Sequence, residues 1–225
     1  MNNILRRQDP RVDSATRVAG NQMLTLFDYG PSQNAWKVRQ LLRHLRLPYQ
    51  CESISAFENK HRRVKRAPVD HWGPAPVVRL EDGRVLSESN TILWYLSGNT
   101  AYRPEDPFTQ AKVFQWLSFE VDYIQTTIGS LHFWTLTGDL CARPKSLVDD
   151  KQATANRALD ILNRELATRP FIAADTYSIA DTAIFAYAHL AVDAGISTSR
   201  FPAFEAWVAR VRARHDFLAP THPLC

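Results

Sequence analysis

The chain has 225 residues, 45% of them hydrophobic and 22% charged, with a formal net charge of +4 at pH 7. These proportions are typical of an ordinary globular protein that buries a sizeable core in one large domain or two small ones. No apolar run reaches the roughly 18 residues that a membrane-spanning helix needs, and no secretory apolar segment stands near the start, so we expect no membrane partner.

The three cysteines, Cys51, Cys141 and Cys225, are widely spaced. They form neither a CxxC pair nor a plausible ligand set, so we expect no metal and a reducing, cytoplasmic compartment. The basic run that begins at Lys60 is typical of a solvated helix face, with attraction of a small anion as the alternative. Because neither aromatic interleaving nor a zinc pattern accompanies this run, we expect no nucleic acid partner.

Residues 1–22 mix arginines with two aspartates and show little apolar periodicity. We interpret them as a flexible N-terminal extension outside the fold. The first domain is therefore expected to begin at Met23.

The stretch 24–45 predicts a buried strand, a Gly-Pro turn and an amphipathic helix, which Ser32 or Asn34 can cap. A strand that enters a helix through a polar turn directs the first free N–H groups of that helix at one point, which favours an anion. We therefore expect the chemistry here, with the Ser32 hydroxyl at the mouth of the site. An ordinary N-cap without catalysis is the alternative interpretation.

A second strand at 47–54 completes a strand-helix-strand unit with a parallel pair. Two further short strands, at 77–80 and 84–86, flank Asp82-Gly83, which is a strong hairpin signal. The order of elements is therefore βαβ followed by a β-hairpin.

A helix follows the hairpin, with Ser87 or Ser89 as its cap and Gly98 as its end. Residues 23–98 therefore predict a small α/β domain in which two helices start at strand ends. Residues 99–107 contain two prolines among polar neighbours and predict a linker.

The remaining residues, 108–225, predict an all-helical domain. Its helices are expected at 108–133, 149–167, 178–195 and 201–217. Ser178 and Asp181 have the spacing of a capping box, and we interpret both as structural. The helix that they start is apolar nearly all round, so it should run through the middle of this domain.

This order of elements resembles that of the cytosolic glutathione S-transferase superfamily, over about residues 23–218. The motifs that carry the resemblance are Ala-Pro-Val at 75–77 with the hairpin at 81–83, Glu-Ser-Asn-Thr-Ile-Leu-Trp-Tyr-Leu at 88–96 and Ser-Ile-Ala-Asp at 178–181. The turn that contains Ser32, Asn34 and Lys37 is similar to that of the serine-type branch, bacterial theta-like or nu-like. The resemblance implies a thioredoxin-like N-terminal domain and an all-α C-terminal domain.

The resemblance implies that glutathione is a co-substrate and that Ser32 donates a hydrogen bond to its sulfur. A donor at a helix N-terminus stabilises a thiolate, whose thiol otherwise has a pKa near 8.5. Asn34 could assist Ser32 or replace it, and Tyr29 is an alternative hydroxyl three residues earlier. No cysteine occupies the turn, which argues against a thiol mechanism of the protein's own.

The remaining glutathione contacts are also implied by the resemblance. The tripeptide's cysteinyl unit would pair with the backbone of Ala75, which is held by a cis bond at Pro76. Frequency alone favours a trans bond at that proline. Glu88 would take the γ-glutamyl ammonium and Ser89 its carboxylate, and Lys60 or a neighbouring cation would meet the glycyl carboxylate.

A small hydrophobic electrophile would lie against aromatic residues of the helical domain, with Trp116 and Tyr123 as candidates for this second-substrate pocket. These aromatics recur at helical spacing, which favours a place in the core. The resemblance further implies a homodimer.

Three functions are compatible with the sequence. The first is a transferase that conjugates the glutathione thiolate to small electrophiles. The second is glutathione-dependent reduction of a disulfide or peroxide, in which Asn34 matters more than Ser32. The third is a non-catalytic binding or assembly module of the same fold.

Overall fold

The computed structural model describes residues 23–54 and 75–220. The predicted N-terminal extension, 1–22, and Lys60 lie outside the described residues.

A four-stranded mixed sheet lies in the N-terminal part, in the order β2-β1-β3-β4. Its strands are β1 (Leu24–Asp28), β2 (Tyr49–Ser53), β3 (Val77–Arg79) and β4 (Val85–Ser87). β1 runs parallel to β2 and antiparallel to β3, and β3 pairs antiparallel with β4. The predicted βαβ unit and hairpin are both present. β1 is buried along its whole length, as a central strand with covered faces should be.

Two helices belong to this part, α1 (Gln33–Leu45) and α2 (Ser89–Leu96). α1 ends at Arg46, which takes the left-handed conformation with φ 52°. The hairpin turns at Gly83, where φ is +84°. Only glycine adopts this conformation without strain, so the Asp-Gly signal in the sequence has a direct structural cause.

The predicted cap of α2 was wrong. Glu88 occupies the N-cap position, and its side chain makes no capping hydrogen bond. Ser89 is instead the first helical residue, and its hydroxyl turns inward to other side chains. A serine before a helix is an ordinary cap signal, and here other polar side chains compete for its single hydroxyl.

The C-terminal part is helical. Its α-helices are α3 (Pro107–Phe119), α4 (Ser130–Thr137), α5 (Lys145–Leu166), α6 (Ile179–Ala188) and α7 (Pro202–Arg212). The ten residues Glu120–Gly129 are wound as a π-helix and join α3 to α4, where the sequence predicted one regular helix. α6 ends at Ala188, earlier than predicted, and turns continue to Gly195.

The main core surrounds α6, which is buried at every position except Tyr187. Trp36 of α1 and Trp207 of α7 lie on either side of Phe185, with ring centroids at 5.5 and 6.0 Å. Since Trp36 belongs to the N-terminal part, one core joins both parts of the molecule. The predicted fold class, a thioredoxin-like α/β part followed by a helical part, is confirmed. In the described ranges no helix has both the length and the apolar character needed to cross a membrane.

Candidate active site

Ser32 caps α1. Its backbone N–H donates to the carbonyl of Tyr29 at 2.8 Å, and its hydroxyl oxygen accepts the N–H of Ala35 at 3.2 Å. The hydroxyl hydrogen has no acceptor among the residues of 23–54 and 75–220. Ser32 therefore keeps one donor for a ligand, at the end of a helix where a negative charge is favoured.

Ser32 faces a cavity of about 560 Å³ between the first turn of α1 and the helical part. The described residues that line it are Tyr29, Pro31, Ser32, Gln33, Gln125, Gly129, Ser130, His132, Phe133, Trp134, Leu136, Thr137 and Tyr187. Large apolar side chains at its rim are solvent-exposed, Phe133 by 42% and Leu136 by 72%. A concave site with an apolar wall and a few polar groups is typical of small-molecule binding.

Two titratable side chains in this cavity are held neutral. Burial lowers the pKa of His132 below its usual 6.5, and burial raises the pKa of Tyr187, with the Glu120 carboxylate acting in the same direction. At neutral pH the pair is therefore an uncharged imidazole and an uncharged phenol. Both can form hydrogen bonds without repelling an apolar ligand.

Asn34 is not among the residues that line this cavity, and the oxygen end of its side chain is turned toward α2. Its side-chain oxygen accepts the hydroxyl hydrogen of Ser89 at 3.3 Å. Ser89 is only 7% exposed, and its hydroxyl oxygen accepts from the Lys37 ammonium at 3.4 Å. The starts of α1 and α2 are thus connected through side chains, which the sequence did not predict.

Lys37 and Glu120 form an ion pair at 2.8 Å between the two parts of the molecule, and neither side chain is exposed to solvent. Asn90 supports the pair: its amide nitrogen donates to Glu120 at 2.9 Å and its amide oxygen accepts from Lys37 at 3.4 Å. Burial lowers the pKa of Lys37, and the Glu120 carboxylate opposes that effect by favouring the charged ammonium. We treat Lys37 as charged, because a carboxylate at hydrogen-bond distance stabilises that form.

Glu88 and the Ala75-Pro76 bond complete the predicted glutathione contacts. The Ala75-Pro76 peptide bond is cis and stands at the entrance to β3. Glu88 is exposed and has a φ of +66°, which costs a residue with a side chain about 1–3 kcal/mol. Such strained backbone is frequent at functional sites, so it agrees with a binding role for this residue.

Glu88 also borders a second cavity, of about 590 Å³, between α2 and α3. Its described lining is Glu88, Asn90, Thr91, Trp94, Phe114, Leu117, Ser118, Val121 and Asp122. Asn90, which borders this cavity, also contacts Lys37 of the ion pair.

The two predicted second-substrate residues lie apart from the lining of both cavities. Trp116 is 3% exposed and packs in the core, with its ring edge-on to Phe119 at 5.1 Å. Tyr123 is 47% exposed and stacks on the other side of Phe119 at 5.0 Å. A different tryptophan of the helical part, Trp134, lines the Ser32 cavity.

Ser178 and Asp181 form a buried capping box at the start of α6. The Asp181 carboxylate accepts from the backbone N–H groups of Ile172 and Ser178, from the Ser178 hydroxyl and from the Trp207 indole, at 2.9–3.2 Å. Neither residue is exposed. The pair therefore fixes the interior of the helical part, and neither residue lines either of the two cavities.

Sequence reasoning missed the Lys37–Glu120 pair. A signal was present for Glu120, which is a single charge on a helix face that otherwise carries Val113, Trp116, Leu117 and Ile124. Nothing in one sequence says that this face meets Lys37, because the contact joins residues that are 83 positions apart.

Two family models match the chain, that of the glutathione S-transferase N-terminal domain over residues 31–98 and that of the C-terminal domain over residues 117–215. A solved structure described as a possible glutathione S-transferase from Rhodopseudomonas palustris is 30% identical, with a TM-score of 0.81; the match covers 90% of this chain and 100% of that one. The chain belongs to the cytosolic glutathione S-transferase superfamily.

Curated relatives carry different activities in their names. The disulfide-bond oxidoreductase YfcG of Escherichia coli K12 is 26% identical over 202 residues, which are 85% of this chain and 91% of that protein. Elongation factor 1-gamma of Carassius auratus is 33% identical over 163 residues, which are 71% of this chain and 36% of that protein. The branch within the superfamily stays a prediction.

Proposed function

We propose that this protein is a glutathione-dependent transferase that joins the glutathione sulfur to small apolar electrophiles. The observation that carries the proposal is the hydroxyl hydrogen of Ser32, which has no acceptor among the described residues and lies at the start of α1 on the wall of a cavity of about 560 Å³. A thiolate placed there meets a hydroxyl donor and a helix N-terminus together.

The glutathione contacts follow the predicted pattern in this proposal. The cysteinyl unit pairs with the backbone at Ala75, beside the cis bond. Glu88 takes the γ-glutamyl ammonium, and the free backbone N–H of Ser89 at the start of α2 takes the carboxylate. The Ser89 hydroxyl is not needed for this role, since its hydrogen is directed at Asn34. The cation for the glycyl carboxylate, proposed at Lys60, is outside the described residues.

The reaction requires little of the protein beyond binding and thiol ionisation. The thiol proton leaves to water as the sulfur is held by Ser32, and the thiolate then attacks an electrophilic carbon, with loss of the leaving group and its electron pair. The neutral His132 and Tyr187 present no charge that would exclude an apolar second substrate from the cavity.

A titration with glutathione tests the proposal, with thiolate absorbance in the ultraviolet as the readout over a range of pH. We expect the wild type to bind and to ionise the thiol near neutral pH, and Ser32→Ala to bind it without that shift. Asp106→Ala is the matched control, because Asp106 caps α3 through a 2.8 Å bond to the Thr109 N–H, on the exposed surface. Equal thiol ionisation in the wild type and Ser32→Ala would remove Ser32 from the catalytic role.

Reduction of a disulfide or peroxide with glutathione is the second candidate. The similarity to YfcG favours it, as does the position of Asn34, whose amide is held by Ser89 beside the first turn of α1. In that case Asn34→Ala abolishes turnover of a small disulfide, and Ser32→Ala leaves most of it. Turnover of a chlorinated aromatic electrophile separates conjugation from reduction.

A homodimer is also proposed, through the face formed by α2, α3 and the π-helical segment. Side chains on this face are apolar and exposed: Tyr95 48%, Phe108 74%, Phe114 59% and Val121 44%. Exposed apolar side chains of this kind support an interaction surface there. Light scattering should give twice the chain mass, and Phe114→Glu should give a monomer.

A dimer that neither binds nor turns over glutathione would favour the third function, a non-catalytic assembly module, for which the similarity to elongation factor 1-gamma is the support.

A further inference from the structure

The ammonium of Lys37 has three acceptors and three hydrogens. It contacts Glu120 at 2.8 Å and the side-chain oxygens of Ser89 and Asn90 at 3.4 Å each. An ammonium group only donates, so each of these oxygens must accept. No hydrogen of Lys37 is left for a ligand, and its side chain is wholly buried.

This fixes the direction of the next hydrogen bond. Because the Ser89 oxygen accepts from Lys37, the one hydrogen of that hydroxyl remains for the side-chain oxygen of Asn34, 3.3 Å away. Asn34 therefore has its carbonyl end turned to Ser89 and its NH2 end turned away. Within the described ranges, no acceptor contacts that NH2 group.

The orientation of an asparagine amide matters when the ligand is a sulfur anion. The NH2 end donates to a thiolate and stabilises it, and the oxygen end repels it. Nothing in Asn34 itself decides which end faces the α1 N-terminus. An isolated Ser89 hydroxyl does not decide either, because it can rotate and accept from the amide as readily as donate to it.

We propose that Lys37 is a positioning residue, which acts through Ser89 to keep the NH2 end of Asn34 turned away from Ser89 and available as a donor to the glutathione sulfur at the start of α1. The inference rests on the proposed glutathione site. Glu120 keeps the ammonium charged in a dry environment, and Asn90 holds Glu120 in place through its amide nitrogen. The ion pair between the two parts of the molecule is thus the origin of a directed chain of hydrogen bonds that ends at the thiol.

The test must remove the charge of Lys37 without leaving Glu120 alone in the interior. A single buried charge without its partner destabilises a protein strongly, whereas replacing both partners by neutral groups of similar size is often tolerated. The double variant Lys37→Met with Glu120→Gln does this, and the new amide oxygen still accepts from Asn90. The matched control is Lys145→Met with Asp149→Asn, which removes an exposed pair of the same type, 2.6 Å apart.

The first measurement is the pKa of the thiol of bound glutathione, from thiolate absorbance. We expect the Lys37/Glu120 double variant to raise it by roughly one unit, because a hydrogen bond to an ionised group is lost or reversed, and the Lys145/Asp149 variant to leave it unchanged. Ser89→Ala should give a similar rise, since it cuts the same chain one step later. Combining Ser89→Ala with the double variant should add little.

Additive rises of the thiol pKa would overturn the proposal, because two substitutions that interrupt the same chain of hydrogen bonds should not have independent effects. So would a lower unfolding midpoint with an unchanged thiol pKa, since this is what a purely structural ion pair predicts. The second measurement needs no glutathione: the side-chain NH2 resonances of Asn34 in the free protein. They should shift in the double variant and in Ser89→Ala, and unchanged resonances would contradict the inference even where glutathione binding itself succeeds. Absence of binding by the wild type, with shifted Asn34 resonances, would instead remove the proposed function and leave the orienting role of Lys37.

Discussion

Two helices of this protein begin with a serine cap, and they use it in opposite ways. At the start of α6, Ser178 is buried and its hydroxyl is used twice, accepting from Ala180 and donating to Asp181. At the start of α1, Ser32 is half-buried, and within residues 23–54 and 75–220 its hydroxyl only accepts, from the N–H of Ala35. The same residue type at the same helical position thus has its hydroxyl hydrogen bonded within the protein at Ser178 (a closed cap) and available to a ligand at Ser32 (an open cap). What distinguishes a structural cap from a candidate catalytic one is whether the hydroxyl hydrogen already has an acceptor.

Two of the buried carboxylates next to these helices, Asp181 and Glu120, differ in the same sense. Asp181 accepts four hydrogen bonds from protein groups, which use both of its oxygens. Glu120 accepts through one oxygen, and its other oxygen has no hydrogen-bond partner among the described residues. A fully satisfied carboxylate fixes a structure, whereas a partly satisfied one depends on its single cation.

The largest effect is therefore expected at Asp181. Asp181→Ala leaves the Ile172 and Ser178 N–H groups and the Trp207 indole buried without an acceptor, and should lower the free energy of unfolding by about 3–5 kcal/mol. Urea denaturation of variant and wild type measures this. Asp106→Ala, which removes the exposed cap of α3, is the control and should cost about 1 kcal/mol. A loss at Asp181 no larger than that at Asp106 would mean that the buried capping box stabilises the protein no more than an exposed cap does.

In contrast to Asp181→Ala, Ser32→Ala should lower the free energy of unfolding only slightly and the catalytic activity strongly. The lost bond to the Ala35 N–H costs about 0.5–2 kcal/mol of stability. The catalytic loss should be larger in proportion, roughly ten- to a hundredfold in kcat/KM with a model electrophile, because a donor to an ionised sulfur is worth more than a neutral cap. Steady-state kinetics at several pH values, with Asp106→Ala beside it, provides the measurement. Full activity in Ser32→Ala would place the donor elsewhere, with Tyr29 and Asn34 as the next variants.

The other end of α6 gives a pH-dependent effect of intermediate size. Burial lowers the pKa of His189 from 6.5 to about 4, while its ring stacks on Phe185 at 4.6 Å. Between pH 6.5 and about pH 4, His189 is protonated in the unfolded chain and neutral in the folded protein, so the free energy of unfolding falls as the pH decreases. The contribution of this one group is about 2 kcal/mol between pH 7 and pH 5.

His189→Gln isolates that contribution from other acid-sensitive groups. Burial also lowers the pKa of His44 and of His132, so some loss of stability toward low pH should remain in the variant. Denaturation at pH 7 and pH 5 should show a smaller difference for the variant than for the wild type. Equal differences in the two proteins would mean that His189 becomes protonated in the folded state without penalty.

Much of the fold followed from local sequence patterns. The alternation of strands and helices, the Asp-Gly hairpin at Gly83 and the apolar α6 each depend on neighbours in the chain, and each was predicted. The π-helical winding after Phe119 was not, since the apolar spacing of that stretch is compatible with a regular helix. The early end of α6 at Ala188 was missed because its sequence stays apolar as far as the turns.

The candidate site likewise contains a part that local sequence signals predicted and a part that they did not. Ser32 and its helix start were predicted from a local signal, a polar residue between a strand and a helix. The link from Asn34 through Ser89 to Lys37 was not, because its members come from two distant helices and only the packed structure brings them together. Trp116 is buried in the core, as its helical spacing favoured, and its place in a second-substrate pocket stays a prediction, since an aromatic residue in a helix has the same spacing in a core as on a pocket wall.

A third helix start, that of α2, gives the smallest and most discriminating effect. Glu88 has no capping bond and a φ of +66°. Glu88→Gly should therefore relieve backbone strain, although glycine also gives the unfolded chain more conformational freedom. The net stabilisation should be about 0.4–1 kcal/mol at most. The same change removes the carboxylate proposed to hold the γ-glutamyl ammonium, so glutathione should bind more weakly. Urea denaturation and a glutathione titration on one variant measure both effects. Higher stability together with weaker glutathione binding would mean that the strained backbone at Glu88 is maintained for binding, as the hydroxyl donor of Ser32 is at the start of α1. A loss of both stability and affinity would make Glu88 a structural residue like Ser178.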